Sequence, residues 1–201
     1  AATSSSINDN TIYLSKTFGL IKVNGQSSVI YANLNASNGV IHVINKVLLF
    51  PTNTIAGIAI ADPNFSSLVA ALVKTNLAGV FTGSGDFTVF APTNAAFAQL
   101  PAQFNNASNI SNITDAGQIA ALANILKYHV AASRNFTWDL GILRRVTTLA
   151  NAPRNKVTTI LGFNTGWVKG DDNNSYAQIN PADILATNGV IHVIGKVLLP
   201  K

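Results

Sequence analysis

Asn38-Gly39-Val40-Ile41-His42-Val43-Ile44-Asn45-Lys46-Val47-Leu48-Leu49 recurs later in the chain as Asn188-Gly189-Val190-Ile191-His192-Val193-Ile194-Gly195-Lys196-Val197-Leu198-Leu199. Only the Asn45/Gly195 position differs. The match runs backwards without a gap through Ala36/Ala186, Leu34/Ile184 and Ala32/Ala182. Further upstream, Val23-Asn24-Gly25 answers Val168-Lys169-Gly170, with a longer turn, Asp171-Asp172-Asn173-Asn174, in the second copy. Pro51 and Pro200 close the two copies, as proline does after a strand. A repeat of this kind sets the organisation of a chain before any local reading. The stretch from about 52 to 187 has no counterpart before residue 1. The expectation is therefore two units: residues 1–51 as the C-terminal half of a first domain, and residues 52–201 as a complete second one.

Working outward from the second copy, the local signals change from helix to strand. Asp62-Pro63 reads as an N-cap followed by proline at the first helical position, with Phe65, Leu68, Val69, Leu72 and Val73 on one helical face. Phe87-Thr88-Val89-Phe90-Ala91 reads as a strand ended by Pro92. Thr93 or Asn94 then caps a short helix carrying Phe97 and Leu100 inward. Thr114 or Asp115 starts another helix with Ile119, Leu122, Ala123 and Leu126 on its buried stripe. From Lys156 onward the pattern is short and β-branched: Val157 to Leu161, Trp167 to Lys169, Tyr176 to Ile179 and Val190 to Leu199. Asn188-Gly189 is a tight-turn signal, because both residues tolerate positive φ. Helices followed by strands give an α+β fold class.

Composition removes several chemistries. The chain of 201 residues is 48% hydrophobic, enough for a core, and has no apolar run long enough to span a membrane. It has no Cys, which excludes disulfides, thiol nucleophiles and cysteine zinc sites. All eight acids are Asp, so there is no His-Glu-x-x-His metal motif and no glutamate acid catalyst. Ala1 to Ser6 has neither a basic nor an apolar signal region, and with no Met at position 1 the chain is expected to be processed or trimmed. Net charge is +5, yet only 10% of residues are charged. Basic residues thicken at Arg134, Arg144, Arg145, Arg154 and Lys156, opposed by Asp139. That region is a candidate for an anionic glycan; the alternative is scattered, solvated cations. No basic helix or aromatic–basic platform accompanies the charge, which argues against nucleic acid.

At this point a family resemblance appears. Thr88-Val89-Phe90-Ala91-Pro92-Thr93-Asn94-Ala95-Ala96-Phe97 resembles the first signature of fasciclin-like domains, and Asn188-Gly189-Val190-Ile191-His192-Val193-Ile194 the second. Tyr128-His129 stands where that family has its Tyr-His pair. The resemblance covers roughly residues 53 to 200, and residues 10 to 51 match the C-terminal half of a preceding copy. It implies a wedge-shaped β-sandwich flanked by several helices, in tandem on secreted, lipid-anchored or matrix proteins. It also implies cell adhesion without catalysis or cofactor, and an extracellular or cell-surface location. One departure is visible: the family often has Asp after the His-Val-Ile run, where this chain has Asn45 and Gly195.

The resemblance also nominates sites. Tyr128 and His129, with Leu126 and Val130, answer residues linked to receptor binding in animal relatives; alternatively they are buried hydrogen-bonding residues at a helix–strand junction. Asp183-Ile184 is similar to an Asp-Ile integrin motif, while a carboxylate there would equally bond backbone N–H groups of a turn. His42 and His192 are repeat equivalents about one domain apart, so with His129 they are not expected to share a metal. In the second copy His192 alternates with core residues. A hydrolase using His129 or His192 is the remaining enzymatic alternative, without a Gly-x-Ser-x-Gly elbow or a phosphate loop to support it. Asn-x-Ser/Thr triplets at Asn35, Asn64, Asn106, Asn109, Asn112, Asn135 and Asn173 are candidate N-glycosylation sites. The partners expected are a cell-surface or matrix protein or glycan, and the missing front half of the first domain.

Overall fold

The computed structural model describes residues 2–5, 11–83, 85–100, 110, 112–162 and 165–201; of residues 2–5 it describes the backbone. Asn106 and Asn109 lie outside the described residues. The N-terminal part is an antiparallel meander in chain order: β1 (Ala2–Ser5), β2 (Thr11–Thr17), β3 (Leu20–Val23), β4 (Ser27–Ala36) and β5 (Gly39–Ile44). β2 and β3 are joined through Phe18 (φ 52) and Gly19 (φ 77), and both positive angles suit the right-handed twist of a hairpin. Asn24 (φ 50) and Gly25 (φ 72) repeat the device before β4.

Capping residues then set the helices. The Thr54 side chain accepts from Gly57 N–H at 3.1 Å and starts α1 (Ile55–Ala61). Asp62 accepts from Asn64 N–H at 2.9 Å and, with Pro63, caps a single 3-10 turn that leads into α2 (Ser66–Lys74). Phe65, Leu68 and Leu72 are buried as their spacing predicts; Val73 is 67% exposed, since it has rotated past the buried stripe at the last turn. After β6 (Phe87–Pro92), Thr93 caps α3 (Asn94–Phe97) and Asp115 caps α4 (Ala116–Tyr128). On α4, Leu122, Ile125 and Leu126 are buried, while Ile119 and Ala123 are half-buried.

The remaining strands are β7 (Val130–Ala131), β8 (Arg144–Thr147), β9 (Lys156–Leu161), β10 (Gly166–Lys169), β11 (Ala177–Ile179), β12 (Ile184–Ala186) and β13 (Gly189–Ile194). With β6 they form one eight-stranded sheet in the order β7-β6-β13-β11-β10-β9-β8, with β12 also paired to β13. β6 and β13 pair in parallel, Gly189 opposite Phe87 through Ile194 opposite Pro92. Alternate side chains of β6 point to opposite faces. Val89 and Ala91 join the helices with Leu68, Phe97, Leu126 and Ile191, whereas Phe90 joins Tyr128, Leu140, Val168 and Ile194 on the other face. The fold is mixed helix and sheet, as the order of the signals predicts.

Two local readings are corrected. The last strand stops at Ile194 instead of running to Leu199, although Val197 and Leu198 stay buried. At the β12–β13 turn neither Asn188 nor Gly189 has a positive φ. Gly189 is there for space: a Cβ would lie 2.3 Å from Phe87 O and 2.6 Å from Ile55 Cδ1. Asn188 acts through its amide, accepting from Ile55 N–H at 2.8 Å and donating to Phe81 and Gly83 C=O at 2.9 Å each.

Candidate functional site

α4 ends at Tyr128, and its C-cap, His129, leads straight into β7, so both side chains turn inward. Tyr128 O–H donates to Lys156 C=O at 2.6 Å and accepts from Asp171 N–H at 3.1 Å; burial raises its pKa. His129 bonds backbone on both ring nitrogens: Nδ1–H donates to Ile125 C=O at 2.7 Å, and Nε2 accepts from Leu198 N–H at 2.8 Å. Complete burial lowers its pKa to about 4, against a partial upward pull from the Ile125 carbonyl. Leu126 and Val130 are buried beside them. His129 ties the end of α4 to the C-terminal segment and Tyr128 ties it to β9 and the turn after β10, and the polar atoms of both are already matched.

Asp183 is also buried, in the left-handed region at φ 58. Oδ1 accepts from Thr137 N–H at 2.8 Å, and Oδ2 accepts from the Thr137 hydroxyl. Its own N–H donates to His192 Nδ1 at 3.3 Å, and His192 Nε2–H donates to Asn135 C=O at 2.8 Å. With Nδ1 acting as acceptor, the 3.8 Å approach of that atom to Asp183 Oδ1 is not an ion pair. His192 lies stacked on Phe90, 5.6 Å between centroids. Ile184 is half-buried on β12. The first copy keeps the local bracket: Asn33 has φ 60, and its N–H donates to His42 Nδ1 at 3.2 Å. There, however, the histidine is exposed.

The basic stretch divides. Arg134 is 8% exposed; Nε pairs with Asp86 at 2.9 Å, and the guanidinium donates to Ala186, Thr187 and Gly189 C=O. It clamps the β12–β13 turn and is withdrawn from any glycan surface. Composition cannot reveal this, because its four acceptors come from distant segments. Arg144, Arg145, Arg154 and Lys156 are exposed. Arg144 and Arg145 lie on β8, the edge of the large sheet, and Lys156 on neighbouring β9. Arg145 forms a two-pronged pair with Asp171, 3.0 Å on each arm.

Among the candidate glycosylation residues, Asn35, Asn64 and Asn112 are exposed. Asn135 is buried, with Nδ2 donating to Thr88 Oγ1, Ser133 O and Ser133 Oγ, so that amide has no room for a glycan as folded. Asn173 is half-buried: Nδ2 donates to Val197 C=O, while Oδ1 accepts from Gly170 and Leu199 N–H. Among the described residues there is no cluster of three or more His, Cys, Asp or Glu fit to hold a metal. No single helix among them is long and apolar enough to cross a membrane.

A second set of contacts joins the small sheet to the large unit, and sequence reasoning missed it. Ser15 Oγ donates to Asp139 Oδ2 and Thr17 Oγ1 to Trp138 C=O, both at 3.0 Å. Gln26 Nε2 donates to Asp183 C=O at 2.8 Å. Tyr13 lies 5.8 Å from Phe136 between ring centroids and carries the Arg134 guanidinium 4.5 Å from its ring. Gly25 permits the approach: a Cβ there would fall 2.5 Å from Phe136 Cδ1 and 2.7 Å from Asp183 Cγ.

The Fasciclin domain family model matches residues 1–50 and 63–200. Transforming growth factor-beta-induced protein ig-h3 of Sus scrofa is 32% identical over 167 residues, 81% of this chain and 21% of that protein. The Synechocystis sp. protein sll1735 is 39% identical over 145 residues, 72% of this chain and 96% of that protein. The chain thus spans about a fifth of the animal relative and nearly all of the cyanobacterial one. Among solved structures, a FAS1 domain pair from the insect cell adhesion molecule fasciclin I matches with a TM-score of 0.60 at 20% identity, over 98% of this chain and 71% of that one.

Proposed function

The chain belongs to the fasciclin domain family, and from that premise we propose that it is a non-catalytic adhesion or ligand-binding module of the cell surface or extracellular matrix. One observation carries the reading. Both buried histidines bond backbone on each ring nitrogen, and Tyr128 bonds backbone through its hydroxyl. Groups held this way brace a scaffold; they have no free atom with which to take a proton from a substrate. Recognition then belongs to exposed surface, and Tyr128, His129 and Asp183 act by holding that surface in shape. Ile184, half-buried, borders it. Asn35, Asn64 and Asn112 are the glycan acceptors this reading favours if the chain is secreted.

The same premise supports reading residues 1–51 as a C-terminal half-domain and residues 52–201 as a complete one. The near-complete match to a relative over 145 residues supports a unit of that size.

A second reading has its own observation: Arg144, Arg145 and Lys156 gather at an exposed sheet edge, with Arg154 exposed in the connection between β8 and β9. Such an edge suits a sulfated or uronic-acid glycan.

Immobilised protein should retain cells or matrix components from its own source above an albumin-coated control. Loss of retention at high salt and on neutralising Arg144 and Arg145 would assign it to the glycan edge; retention unchanged by both favours a protein partner. Turnover of ester or glycoside substrates, abolished by His192→Ala, would overturn the non-catalytic reading.

A further inference from the structure

Gly-Val-Ile-His-Val-Ile occurs twice with opposite fates. In β13 all six residues are buried; in β5 the first four are exposed and the last two half-buried. The difference continues beyond the strands. Val47 is 84% exposed where its counterpart Val197 is 6%; Leu48 is half-buried where Leu198 is 1% exposed, and Leu49 is 79% exposed where Leu199 is half-buried. Identical local sequence cannot account for this, so the neighbours must. β13 has β6 in parallel on one side and β11 and β12 on the other. β5 has β4 on one side and, among the described residues, no strand on the other.

From this contrast we infer that the free edge of β5 binds a further helix–strand segment of the kind formed by residues 52–135, its strand lying parallel to β5 in the register β6 takes on β13. The inference rests on reading residues 1–51 as a half-domain, and it specifies the occupant of that half.

Three features of β13 mark what the occupant must bring. A parallel strand approaches so closely that Gly189 has no room for a Cβ; Gly39 holds the same glycine with nothing within 4 Å of the Cβ position and no positive φ to require it. Asn188 receives Ile55 N–H at the start of a helix, and its counterpart Asn38 stands exposed. Leu198 N–H donates to the histidine at the end of α4, so Leu48 N–H should receive the equivalent imidazole. The occupant is therefore an apolar strand flanked by amphipathic helices, one of them ending in histidine. An exposed strand edge with apolar side chains is the ordinary template for such addition.

A second copy of this chain is not that occupant. Each copy carries two Gly-Val-Ile-His-Val-Ile strands and one β6 strand, which is already paired. Two copies bring four and two, so exchange between copies fills one edge only by emptying another.

The test is to refold the full chain together with a polypeptide of residues 52–135. A 1:1 complex is expected on native mass spectrometry. Amide exchange at Val40–Ile44 and Leu48, read by NMR, should slow by about tenfold or more. The Val47→Asp/Leu49→Asp double variant changes exposed side chains only, so it should melt like the parent and fail to form the complex. If the free polypeptide precipitates, the same segment joined ahead of residue 1 reports instead. No complex, or one that leaves exchange at residues 40–48 unchanged, overturns the inference. Free chain in which these amides are already as protected as residues 190–198 overturns the half-domain reading itself.

Discussion

At His129 the chemistry is decided by two backbone bonds and the loss of water. Burial holds the imidazole neutral, with a pKa of about 4 against 6.5 for the exposed group. Between these values the unfolded chain binds a proton that the folded chain does not, so stability rises with pH across that window. The contribution is fully present above about pH 6.5 and is lost as the pH falls toward 4, up to roughly 3 kcal/mol. His129→Gln should cost about 1–3 kcal/mol at pH 7, because Ile125 C=O or Leu198 N–H loses its partner. It should also flatten the acid limb. Urea unfolding of both proteins at pH 6.5 and 4.5 checks this, and equal losses in parent and variant would remove His129 as the cause. The sequence supplied Tyr128-His129 as a pair of interest, but which backbone groups it meets depends on Lys156, Asp171 and Leu198, far along the chain.

At the scale of elements, helix caps and most short strands are legible locally, whereas the end of the last strand and the Asn188-Gly189 turn are not. Thr93 and Asp115 are helix caps because a short polar side chain reaches a free N–H three residues on, a relation contained within four residues. β6 and the short strands after Lys156 follow from β-branched runs bounded by turn residues. The sequence marks Gly189 only as a turn residue, and the reason it must be glycine lies at Phe87, far back along the chain. The two repeat glycines separate the explanations. Gly189→Ala should destabilise the protein by about 1–3 kcal/mol through overpacking against Phe87 O and Ile55. Gly39→Ala, with no neighbour within 4 Å, should stay within about 0.5 kcal/mol of the parent. Melting both variants side by side is sufficient. Equal losses would mean that strand propensity, not the approach of β6, governs the position.

For the whole molecule, the question is how a sheet of five strands with little core of its own stays ordered. Ile30, Tyr31, Leu34, Val40 and Ile41 are exposed, whereas Val23, Gly25 and Ser27 are buried. The repeat made the kinship of the two halves legible, and the exposed apolar face could be anticipated from the missing helices. The joint could not, because Tyr13, Ser15 and Gln26 carry no local mark of a distant partner. Gly25 is its tightest point, with φ at 72 and with Phe136 and Asp183 both closer than a methyl group allows. Alanine there adds backbone strain to a clash, and the sheet has few other contacts to hold it while the larger unit keeps its own core. Gly25→Ala should therefore release the small sheet without unfolding residues 52–201. Trypsin should cut at Lys16 and Lys22 faster by on the order of tenfold, since cleavage follows the open population. Trp138, which lies under Lys22 at 5.3 Å, should shift its emission to longer wavelength as that cover leaves. The main melting transition should move little. Cleavage at the parent rate would mean that Gly25 is not where the joint is held, and that the pairing of β2 with the turn at Thr137–Asp139 suffices alone.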